Sequence, residues 1–107
     1  MDRSRAASTV AESLFATEAA VDEALSRAAQ LMRGMIVARR EMGLPATAGD
    51  GALRRVSATL DALGEAQREI VRAHGELETL RRRAGLRITG FGPLVKPMTG
   101  ASEEPAD

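Results

Sequence analysis

Apolar residues return at every seventh position along two long stretches of this chain, with polar residues filling the gaps. In the second stretch Val56, Leu63, Ile70, Leu77 and Ala84 form one column, and Leu53, Leu60, Gln67, His74 and Arg81 run beside it. That offset is the spacing of facing positions in packed helices, so it predicts one amphipathic helix over residues 50–84. The first stretch carries Leu14, Val21, Ala28, Met35 and Met42 in one column. Val10, Ala24, Leu31 and Ala38 make a second, and Leu25 and Met32 belong to a third. A helix over residues 9–42 follows, with an apolar stripe wider than one partner helix covers.

Local signals set the ends. Thr9-Val10-Ala11-Glu12 has the form of a capping box, which places the first helix start at Thr9 and leaves residues 1–8 as an expected disordered N-terminus. Arg39 and Arg40 fall in the last turn, Gly43 follows Met42, and Pro45 stops continuation. Residues 43–49 then read as a turn. Asp50 is a suitable N-cap for the second helix, and Arg81, Arg82 and Arg83 complement its negative end before Gly85. Gly34, inside the first helix, costs about 1 kcal/mol against Ala and points to a bend or to close approach by another helix.

The fold class expected is all-α: a long antiparallel two-helix hairpin spanning residues 9–85. With the turn centred near residue 46, positions whose numbers sum to about 93 face each other. Glu12, Glu18, Asp22 and Glu23 then share an end with Arg81, Arg82 and Arg83. Glu23 to Arg27 and Glu78 to Arg82 add favourable pairs one turn apart within each helix. A lone hairpin covers one seam, and a domain of this size has little burial to spare. Pairing into a dimeric four-helix bundle covers the rest, and a homodimer needs no second gene product. An unidentified protein partner is the alternative occupant.

Beyond the hairpin, residues 86–97 alternate briefly and then break at Gly and Pro, which predicts a short extended apolar flap. Residues 98–107 have the composition of a disordered tail. In the flap, Leu86, Ile88, Phe91, Leu94 and Val95 form a candidate partner-binding segment; the plainer reading is a cover for the open end of the bundle.

Composition narrows the function classes. At 107 residues, one domain is expected, and its only aromatics are Phe15 and Phe91. With 15 basic and 15 acidic residues the formal net charge is zero, so no global field draws nucleic acid or an anionic membrane. The absence of cysteine removes disulfides and thiolate metal sites. No stretch has the apolar run of a signal peptide or a membrane span, and a soluble cytoplasmic protein is expected.

Chemistry-bearing residues are few. Gln67 and His74 fall one heptad apart in a seam column and read as a register-setting polar core, because polar residues at such positions fix alignment and oligomeric state. A single histidine with scattered carboxylates is a poor metal set and a poor catalytic one. No cofactor is expected, and the chain is not read as an enzyme. Arg33, Arg39, Arg40, Arg54 and Arg55 collect at the loop end as a candidate phosphate-contacting patch. Zero net charge and the lack of a nearby stacking aromatic argue against it. The expected function is a non-enzymatic protein–protein interaction module: adaptor, regulator or chaperone-like. The alternative is an accessory nucleic-acid-binding protein using the loop-end arginines.

Overall fold

The computed structural model describes residues 2–85, and the expected flap and tail lie outside that range. Two helices make up the architecture, α1 (Arg3–Glu41) and α2 (Asp50–Ala84), joined as an antiparallel hairpin.

α1 begins six residues before the expected Thr9. Asp2 caps it: the Ser4 amide donates to Asp2 Oδ1 at 3.0 Å. Nothing in Arg3-Ser4-Arg5-Ala6-Ala7-Ser8 opposes helix, so the earlier cap prevails and residues 3–8 are helical rather than disordered. Thr9, now interior, turns its hydroxyl back to the Arg5 carbonyl at 3.0 Å.

The other end of α1 closes as a Schellman motif. The Gly43 amide donates to the Arg40 carbonyl and the Leu44 amide to the Arg39 carbonyl, both at 3.0 Å, with Gly43 at φ 68°. A side chain at Gly43 would meet open space, so the left-handed backbone alone selects glycine there. The Ala48 amide donates to the Pro45 carbonyl at 2.9 Å and tightens the connection. The first helical bond of α2 runs from the Leu53 amide to the Gly49 carbonyl. Gly49 therefore occupies the cap position expected for Asp50. The Asp50 carboxylate instead sits in the first turn, where it complements the helix dipole.

The described residues pack as two units, 18–70 and 2–17 with 71–85. In the first, Val21, Leu25, Ala28, Met32 and Met35 of α1 and Leu53, Val56, Leu60, Leu63 and Ile70 of α2 are all half-buried. In the second, Ala11 and Leu14 are 2% and 7% exposed, and Phe15, His74, Leu77 and Ala84 are half-buried. No residue of α2 is fully buried. In the column containing Val10, Ala24, Leu31 and Ala38, Val10 and Leu31 stay 49% and 55% exposed, while Ala24 and Ala38 are half-buried.

The register differs from the expected one. Gln67 meets Asp22 in one unit and His74 meets Phe15 in the other, so each pair of facing numbers sums to 89 rather than about 93. The difference is about one helical turn. The helix closes at Glu41 and the chain turns at Gly43, ahead of the centre near residue 46 that the sequence indicates.

Candidate interaction surface

Gln67 and His74 both face α1, by different means. Gln67 is exposed, and its Nε2 donates to Asp22 Oδ1 at 2.6 Å. His74 is half-buried with its ring centroid 6.1 Å from that of Phe15, the planes tilted by 59°. That is the distance and inclination favoured by aromatic pairs, so the histidine also serves as an apolar surface for Phe15. Glu18, at 8% exposure, is the buried charged residue among those described.

The strongest electrostatic feature lies near the end of α2. Glu78 and Arg81 form a two-pronged pair, Arg81 Nε to Glu78 Oε1 at 3.1 Å and Nη2 to Oε2 at 2.7 Å. Arg82 Nε adds a contact to Oε2 at 3.3 Å. The Glu78 side chain is 14% exposed and that of Arg81 21%, so this pair is sheltered where most surface pairs are not. The hydrogen bond from Arg81 holds the Glu78 carboxyl below its ordinary range despite opposing desolvation, and Glu78 in turn raises Arg81. The sequence pairs Glu78 with Arg82, although Arg81 three residues on is also a helical neighbour. The missed signal is the position of Arg81 in the seam column, where packing shelters its guanidinium. The expected pair of Glu23 and Arg27 forms at 2.7 Å, with both side chains well exposed.

Apolar exposure is the other feature. Val71 and Leu80 of α2 are 64% and 59% exposed, alongside Val10 and Leu31 of α1. A Cβ built on Gly34 meets nothing within 4 Å, so no close approach within the chain requires glycine there.

Of the loop-end arginines, Arg33, Arg40, Arg54 and Arg55 are exposed and Arg39 is half-buried. Leu86, Ile88, Phe91, Leu94 and Val95 lie outside the described residues. Among the described residues no three His, Asp or Glu side chains come together in a set that could hold a metal ion. No described helix is long and apolar enough to cross a membrane. No protein family, curated protein or solved structure gives a match to this chain.

Proposed function

We propose that this chain is a non-enzymatic protein–protein interaction module of the cytoplasm. It works as a homodimer in which two hairpins pair into a four-helix bundle of coiled-coil type. One observation carries the reading: among the described residues, the buried apolar side chains are Ala11 and Leu14, while Val10, Leu31, Val71 and Leu80 stay about half exposed or more. A helix pair of this kind gains most of its stability from an apolar stripe, and here much of that stripe is uncovered. Covering it with a second copy supplies the missing burial.

The test is chemical unfolding of the full chain over a hundredfold range of protein concentration. A homodimer unfolds at a midpoint that rises with concentration, because association stabilises only the folded form. A midpoint independent of concentration contradicts the reading. The exposed loop-end arginines support a second reading, as an accessory nucleic-acid binder. Salt-dependent retention on a phosphate matrix, lost when Arg39 and Arg40 are replaced by Ala, is its signature.

A further inference from the structure

The C-terminal half of α1 differs from the rest of the hairpin in charge. Residues 24–40 hold four arginines and no carboxylate. Arg27 is taken by Glu23 at 2.7 Å, as Arg68 is by Glu65 at 2.9 Å. Among the described residues, no carboxylate comes within ion-pairing distance of Arg33, Arg39 or Arg40. The same holds for Arg54 and Arg55 at the start of α2. Spacing explains most of it, since only Arg54 has an acid, Asp50, one turn away on its own helix.

On α1, Arg33, Ile36, Val37 and Arg40 follow one another at the three- and four-residue steps of a single helix face. They form a stripe with a cation at each end and branched aliphatic side chains between. Both arginines are exposed, while Ile36 and Val37 are half-buried. The stripe lies on one helix within the 18–70 unit, so no other element is needed to define it. Its two guanidinium groups stem from α-carbons about 10 Å apart along the axis. Facing numbers in this unit sum to 89 at the bond between Gln67 and Asp22, so Arg54 and Arg55 stand level with Met35 and Gly34, between the two cations.

We propose that this stripe receives an acidic amphipathic helix of a partner protein. Two carboxylates on that helix, spaced as Arg33 and Arg40 are, meet the two guanidinium groups. Aliphatic side chains between the carboxylates pack on Ile36 and Val37. The proposal rests on the interaction-module reading and supplies a partner class for it. Helices packed side by side share one repeat, so groups spaced alike on both fall in register.

Charge complementarity selects the occupant. Residues 33–55 hold five arginines against Glu41 and Asp50, so an acidic surface is drawn there and a basic one repelled. A guanidinium takes a carboxylate two-pronged, as Arg81 takes Glu78 in this chain. The aliphatic pair between the cations gives an apolar helix face something to cover, which a chain of phosphates does not use. Residues 18–70 contain no aromatic ring on which a nucleobase could stack. Carboxylates on a protein helix therefore fit this stripe better than phosphates.

Fluorescence anisotropy on the full chain tests this with a labelled Ala-rich helical peptide of about 15 residues, carrying two Glu at the Arg33–Arg40 spacing with Ile and Leu between them. Saturable binding should weaken at least about tenfold in R33Q/R40Q and stay within about twofold of wild type in R3Q/R5Q, which removes the same charge from exposed arginines elsewhere. Moving one Glu to the opposite face of the peptide should weaken binding likewise. No binding, or binding indifferent to R33Q/R40Q or to the placement of Glu, overturns the proposal. Tighter binding of a single-stranded RNA of the same length, lost in R33Q/R40Q, also overturns it and moves these arginines to the phosphate reading. Light scattering on the same samples reads the dimer separately. Twice the chain mass beside a failed peptide removes this surface and leaves the homodimer standing, and one chain mass with the peptide bound does the reverse.

Discussion

The Gln67 side-chain amide donates to the Asp22 carboxylate at 2.6 Å, joining helices at points 45 residues apart in sequence. Both groups are exposed, so the bond competes with water and aligns the pair more than it stabilises it. A double-mutant cycle of Asp22→Ala and Gln67→Ala should return a coupling of about 0.5–1 kcal/mol in urea unfolding. Zero coupling means the contact does not form in solution.

Glu78 makes the hairpin sensitive to acid. Its carboxyl, held low chiefly by Arg81, is ionised more readily in the folded chain than in the unfolded one. Its contribution is therefore fully present above the ordinary value of 4.5, and it is lost as pH falls through the lower folded value. The stability gap between wild type and Glu78→Gln should be constant near neutrality and close below that point. A gap unchanged down to acid pH would contradict the sheltered pairing.

Gly75 is an exposed interior residue of α2, and a Cβ there meets nothing within 4 Å. Gly75→Ala should raise stability by about 1 kcal/mol through helix propensity alone. Thermal unfolding would register this as a higher midpoint. A lower midpoint would show that another surface approaches the backbone at that position.

The cap at Asp2 predicts a local effect. Asp2→Ala removes the acceptor for the Ser4 amide and should weaken the start of α1 by about 1 kcal/mol. Hydrogen exchange would read it as faster exchange over residues 3–8, with α2 unchanged. Unaltered exchange there would return the start of the helix to Thr9.

Much of the fold was legible because the seven-residue columns are long and regular. Leu53 through Ala84 leave little choice but one helix, and Gly43 before Pro45 leaves little choice but a turn. The start of α1 was not legible, because Thr9 and Glu12 match a capping box while Asp2 offers an equally good cap to a segment that nothing else marks. The register differs by about a turn because the point where the chain reverses depends on the backbone geometry of the connection after Met42, which spacing does not give. Gln67 read as core from its column, yet in a single hairpin it lies at the exposed edge of the seam. The strength of the Glu78–Arg81 pair comes from shelter, which spacing alone does not reveal.

Absolute mass in solution, by light scattering behind a sizing column, decides whether the hairpin pairs with a second copy. A homodimer gives twice the mass of one chain, held on dilution to micromolar concentration and reduced to one chain by Leu31→Glu with Leu80→Glu. A mass of one chain for the wild-type protein at all concentrations would contradict it.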